Sequence, residues 1–120
     1  MSVRAIRGAT QVEANTAEAI TAATQELILE ILSVNSLTPE DVISVLFTSS
    51  PDLNATFPAG AARSLGFENT PLICSVEIDV PGALPRTVRV MAHVDTDLSK
   101  SKIAHIYLHG AKALRRDIAQ

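Results

Sequence analysis

Between Ile20 and Val34 the apolar residues recur at helical spacing. Ile20, Ala23, Leu27, Ile31 and Val34 form one stripe, Ile28 and Leu32 widen it, and Glu26 and Glu30 fall on the outer side. Asn15 and Glu18 make a capping box for this helix, and Asn35 is a reasonable stop. Before it, Val3 to Val12 mixes β-formers with a Gly8-Ala9-Thr10 break, which predicts a first strand ending in a bend. After it, "LTPEDV" is a second helix start, with Thr38 as cap and Pro39 at the first helical position. It is good for one turn, because the β-rich "VISVLFTSS" follows directly. "PDLNATFPAGAARSLGF" then supplies turn residues and a short helix from Pro58 to Leu65, ended by Gly66. Strands follow at Leu72 to Val80 and Thr87 to Thr96, joined by "PGALP", and "IAHIYLHG" is a last strand. The tail "AKALRRDIAQ" suits helix or strand equally. The predicted order β-α-β-α-β-β-β implies an α+β fold with a mixed or antiparallel sheet and helices on one face.

The chain of 120 residues shows no composition shift, so a single domain over 1–120 is expected. With 47% hydrophobic residues but only 3% aromatic, the core must be aliphatic and alanine-rich. A net charge of −3 without any Lys/Arg run argues against a nucleic-acid partner. No run approaches the roughly 20 apolar residues of a membrane span, so no membrane partner is expected. The N-terminus carries arginines where a signal peptide needs an apolar stretch, and the lone Cys74 excludes an intrachain disulfide. These features fit a cytoplasmic location.

Charge placement is the sharper signal. In "ICSVEIDV" Glu77 interrupts an apolar strand, and in "RTVRVMAHV" Arg89 sits between two valines. A mid-strand charge costs free energy unless it is paired or wet. The residues therefore allow either a cross-strand pair on a half-exposed sheet face, stabilising by about 0.2–1 kcal/mol, or the lining of a site. Seven of the ten basic residues are arginine, whose planar fork suits carboxylate capture; a GC-rich genome would also favour it.

Standard catalytic signatures are missing: there is no HExxH, no cysteine pair, no phosphate-cradling glycine loop and no GxSxG elbow. His105 and His109 share a face if both lie on one strand, but a rise of about 3.3 Å per residue separates them too far to chelate one metal. Cys74 has no sequence-evident histidine partner. What remains is a set of arginines, a glutamate and a tyrosine, able to hold a small polycarboxylate or to stabilise charge in a transition state.

The stretches "RAIRGATQVEANTAEAI", "TSSPDLNATFPAGAAR", "CSVEIDVPGALPRTVRVM" and "HIYLHGAKALRR" resemble, in order and spacing, the monofunctional AroH-class chorismate mutases. The resemblance implies a ferredoxin-like-related mixed sheet, a pseudo-barrel homotrimer and active sites at subunit interfaces. It implies the Claisen rearrangement of chorismate to prephenate, on the route to phenylalanine and tyrosine, with neither cofactor nor metal. It assigns Arg7, Glu77 and Arg89 to catalysis, Arg89 facing the substrate's ether oxygen. Phe57, Arg63, Cys74, Tyr107, Leu114 and Arg115 are the substrate-binding residues it implies, with 115–120 a mobile tail. Gly60 departs from the pattern, since relatives can carry lysine there. Strict alternation also sets Cys74 and Glu77 on opposite faces unless a bulge intervenes. Two other readings share features with this one: a trimeric RidA-type deaminase of enamines and imines, and a non-catalytic sensor of aromatic precursors.

Overall fold

A computed structural model describes residues 1–114, with the strands and helices in the expected order. These are β1 (Ser2–Gln11), α1 (Ala17–Val34), β2 (Val42–Ser49), α2 (Pro58–Arg63), β3 (Leu72–Val76), β4 (Thr87–Thr96) and β5 (Ile106–Leu108). Short 3₁₀ turns at Pro39–Asp41, Lys100–Lys102 and His109–Ala113 complete it. Arg115 and the expected tail, 115–120, lie outside the described residues.

The strands form one mixed sheet in the order β3-β2-β4-β1-β5. β4 runs antiparallel to both β1 and β2, whereas β3 is parallel to β2 and β5 parallel to β1. The order corrects an expectation: β3 and β4 are not neighbours, because β2 lies between them. The "PGALP" connection therefore does not close a hairpin. It carries the chain past the end of β2.

Both helices pack on one face of the sheet. Alternate residues of β4 (Val88, Val90, Ala92, Val94) and of β2 (Val45, Phe47) meet Ile20, Leu27, Ile28 and Ile31 of α1 in the main core. Each buried aliphatic or aromatic side chain contributes about 1.5–3 kcal/mol. The stripe runs as expected through Ile20, Leu27 and Ile31, but Val34 is 48% exposed and Asn35 takes the buried position. Asn35 Nδ2 donates to the carbonyls of Ile31 and Ala104 at 2.9 and 3.0 Å, and its Oδ1 accepts from Ala104 N–H at 2.9 Å. It fastens the end of α1 to the segment leading into β5.

Several local expectations shift. The cap of α1 is Thr16, whose hydroxyl accepts from Ala19 N–H, rather than Asn15. Asn15 is used elsewhere: its side chain accepts from Asn54 and Ala55 N–H and donates to Asn54 Oδ1. β1 does not bend at Gly8 but continues to Gln11, paired with β4 throughout and also with β5 from Gly8 to Thr10. Glycine is needed there for packing, since a Cβ would stand 2.9 Å from Ile31 Cδ1 and 3.1 Å from the Ile106 carbonyl. β3 ends at Val76, where β2 offers no further strand to pair with. The short helix stops at Arg63, and the backbone reverses at Gly66, φ 104°. β5 has only three residues, so His105 and His109 do not share a strand.

The face opposite the helices is open, and Val3, Leu46 and Ile73 lie 57%, 39% and 62% exposed upon it.

Candidate active site

Register decides which polar side chains meet on the open face. Residues paired side by side across a sheet point to the same side. Tyr107 of β5 pairs with Ala9 of β1, Ala9 with Arg89 of β4, Arg89 with Thr48 of β2, and Thr48 with Ser75 of β3. One row thus crosses all five strands. The next row contains Arg7, Met91, Leu46 and Ile73. Valines 88 and 90, which flank Arg89, point into the core, so alternation turns Arg89 outward.

Glu77 follows β3 and prolongs its ladder by one bond, its N–H donating to the Ser49 carbonyl at 2.8 Å. Its Oε1 accepts a hydrogen bond from Thr48 Oγ1 at 2.7 Å and lies 3.5 Å from Arg89 Nε. The two charged side chains are 29% and 32% exposed. The Arg89 contact is an ion pair without hydrogen-bond geometry. Arg89 Nε is buried and has no hydrogen-bond partner among the described residues. A buried donor left unpaired costs about 1–3 kcal/mol, so it marks a place prepared for an acceptor.

Two recesses meet at this pair. One, about 290 Å³, is walled by the segment from Glu77 to Pro85 and by Ser50, Asp52 and Thr87. The other, about 160 Å³, is lined by Arg7, Leu46, Thr48 and Met91. Asp52 secures the wall of the first. Its carboxylate accepts from Ser50 Oγ and, at 3.0–3.1 Å, from Arg86 N–H, while Ser50 Oγ accepts from Thr87 N–H at 2.8 Å. The Ser50 hydrogen bond, helped by Arg86 N–H, holds the Asp52 pKa below its ordinary value against the opposing effect of desolvation. Arg86 needs this clamp, having a left-handed backbone at φ 49°.

Arg7 is positioned through its backbone: its N–H donates to His105 Nδ1 at 3.0 Å. Burial pushes the His105 pKa down, which keeps the ring neutral and Nδ1 an acceptor. Tyr107 is buried with Ala9 and Ala111 in a small second cluster, against which Leu84 and Leu114 pack. Leu84 also lines the larger of the two recesses, so this cluster backs the site.

Of the residues expected from the sequence, Arg7, Glu77 and Arg89 come together, with Tyr107 and Leu114 behind them. Cys74 does not join them. It pairs with the buried Phe47 and packs half-buried against the main core on the helix side, because no bulge interrupts the alternation of β3. Phe57, 75% exposed, and Arg63, exposed on α2, line neither recess. Thr48 was not foreseen. Its only sequence signal is a hydroxyl alternating with the apolar residues of β2.

A wider hollow of about 580 Å³ lies between α1, Arg86 and His109, and three of the residues that line it, Glu26, Arg86 and His109, are already engaged. His109 Nε2 meets Glu26 Oε1 at 2.9 Å, and Arg86 Nε donates to the Val12 carbonyl at 2.9 Å.

Comparison with known proteins matches residues 3–118 to the family described as chorismate mutase type I. The chain is 45% identical to chorismate mutase AroH of Thermus thermophilus, over 97% of this chain and 96% of that one. It is 43% identical to chorismate mutase AroH of Bacillus subtilis, over 99% and 94% of the two chains. Among solved structures, a chorismate mutase from Clostridium thermocellum superposes with a TM-score of 0.90 at 53% identity, covering 92% of this chain and 98% of that one.

Proposed function

The chain belongs to the type I chorismate mutases and converts chorismate to prephenate, and from that premise we propose that the Glu77–Arg89 recess is where the rearrangement occurs. The buried Nε of Arg89, ion-paired to Glu77 Oε1 at 3.5 Å yet without a hydrogen-bond partner among the described residues, is the observation that carries this reading.

The reaction is pericyclic: the ether C–O bond breaks, a C–C bond forms, and no proton is transferred. Bond breaking runs ahead, so negative charge gathers on the ether oxygen and positive charge on the ring. Arg89 donates to that oxygen, and its fixed charge is worth most when the negative charge is greatest. Glu77 accepts from the ring hydroxyl and stabilises the positive charge. Arg7 and Tyr107 hold substrate carboxylate groups, so that chorismate enters in its compact, chair-like form. Neither an acid, a base, a nucleophile, a metal nor a cofactor takes part.

Phe57 and Arg63 enter the same site from a second copy of the chain. Supporting this are their exposure, their absence from the lining of both recesses, and the apolar residues Val3, Leu46 and Ile73 on the uncovered sheet face. The assembly is a homotrimer with sites at the interfaces, each subunit a single domain spanning the chain. Leu114 and Arg115 are substrate-binding residues in this reading, Arg115 lying outside the described residues. Cys74 serves packing. No helix among the described residues is long and apolar enough to cross a membrane, and the reading includes a cytoplasmic location.

The test is loss of chorismate ultraviolet absorbance with the purified chain, compared with the Glu77→Ala and Arg89→Ala variants. Turnover by the wild type and collapse of kcat in both folded variants is expected. Retained kcat in either variant would remove the recess from the mechanism.

A further inference from the structure

We infer that Thr48 is a positioning residue for the rearrangement, acting through Glu77 to hold its ion pair with Arg89 short of a direct hydrogen bond. This rests on the reading of Glu77 given above and adds a residue to it. Thr48 stands between the two charged residues because β2 lies between β3 and β4. It is the cross-strand neighbour of Arg89 on one side and of Ser75 on the other.

Its hydroxyl donates to Glu77 Oε1 at 2.7 Å, a short bond to a charged acceptor, while Arg89 Nε stays 3.5 Å from that same oxygen. Two consequences follow from one oxygen having these two neighbours. First, both contacts fall on Oε1, which leaves Oε2 as the oxygen to meet a ring hydroxyl. Second, the carboxylate is drawn toward β2 instead of closing on the guanidinium, which keeps Arg89 Nε without a hydrogen-bond partner.

Threonine suits the task. A β-branched side chain in a strand has few rotamers, so the donor is fixed by the backbone, and β2 is paired on both sides. Glutamate is the reverse: half-exposed and rich in rotamers, it has conformational freedom to lose. Without the hydroxyl, Glu77 would turn this ion pair into a direct hydrogen bond to Arg89 Nε, and substrate would have to break that bond before the ether oxygen could be stabilised.

The experiment measures kcat and KM for Thr48→Val, Thr48→Ser, Glu77→Ala and the Thr48→Val/Glu77→Ala double variant, each checked for folding by circular dichroism. Thr48→Val keeps the shape and β propensity but loses the donor. It should lower kcat by about 10-fold to 100-fold, with KM changed by less than about 3-fold. Thr48→Ser should recover kcat to within about 3-fold of wild type. In the Glu77→Ala background the valine should cost nothing beyond about 2-fold, because a residue acting through Glu77 has nothing left to act on. If Thr48→Val keeps wild-type kcat while Glu77→Ala loses it, the inference fails and the reading of Glu77 stands. The same holds if the valine loss persists in the Glu77→Ala background, or if serine fails to restore kcat. Unchanged kcat in Glu77→Ala overturns both together.

Discussion

Cys74 and Glu77 lie on opposite faces of the sheet. Cys74 is packed beside Phe47 on the helix side, and Glu77 is bonded to Thr48 on the open side. The motif they share is therefore divided between the two faces, and the proposed function gives chemistry to Glu77 alone. Cys74→Ala should reduce stability by about 1 kcal/mol, as for a small, partly buried apolar group, and leave kcat within about 10-fold. Urea unfolding and steady-state kinetics check the two halves. A collapse of kcat at unchanged stability would put the thiol in contact with substrate.

Arg89 should matter far more to the transition state than to bound substrate. The ether oxygen is neutral in the ground state and gains charge only as its bond breaks. Arg89→Ala should lower kcat by at least about 10²–10³, the usual effect of losing one preorganised donor, with a smaller rise in KM. Arg89→Lys should recover only part, because a flexible point charge does not reproduce the guanidinium fork. The fold should survive, since Arg89 faces away from the core. A folded Arg89→Ala enzyme within about 10-fold of wild-type kcat contradicts the assignment.

Activity should depend on assembly. Phe57 and Arg63 line neither recess in a single chain, and apolar side chains stand exposed on the open sheet face. Specific activity should fall on dilution in step with dissociation measured by analytical ultracentrifugation. Val3→Glu, on that face but outside both recesses, should give monomers with little activity. A fully active monomer rules out a site completed by a second subunit.

His105 should link stability to pH on the acid side of neutrality. Burial lowers its pKa in the fold below the ordinary value of 6.5. In the window between those values the unfolded chain binds a proton that the folded chain refuses. The contribution is thus fully present above about pH 6.5 and is lost as pH falls through the lowered folded value. His105→Gln, which keeps an oxygen able to accept from Arg7 N–H but does not titrate, should flatten this part of the curve. Urea midpoints between about pH 5 and 8 measure it. Parallel curves for the two proteins would exclude the link.

Asp52 should act at lower pH. Its pKa in the fold lies below the ordinary 3.8, first through Ser50 and then through Arg86 N–H. Its contribution is present above that ordinary value and is lost as pH falls through the lowered one. Asp52→Asn should loosen the loop at neutral pH and reduce acid sensitivity below about pH 4. Hydrogen exchange at Arg86 N–H, protected in wild type and faster in the variant, reports the clamp directly; equal protection would mean that Asp52 does not hold it.

Much of this protein follows from the chain by itself. Period-two alternation in "RTVRVMAHV" turned Arg89 away from Val88 and Val90, and the 3.6-residue stripe from Ile20 to Ile31 chose the buried side of α1. These are local properties, because side-chain direction repeats with the backbone and burial favours one side. Only the tertiary structure decided that β2 separates β3 from β4, which set Thr48 between Glu77 and Arg89 and made the "PGALP" segment a wall rather than a hairpin turn. Alternation says which residues share a face of one strand, but not which strand lies next to it. That choice depends on how the parallel β2–β3 pair and the antiparallel β2–β4 pair bury Val45 and Phe47 together beneath α1, a sum over contacts distant in sequence. The same reason kept the partner of Arg7 N–H out of view, since His105 reaches it only because the residues after it pair parallel to β1.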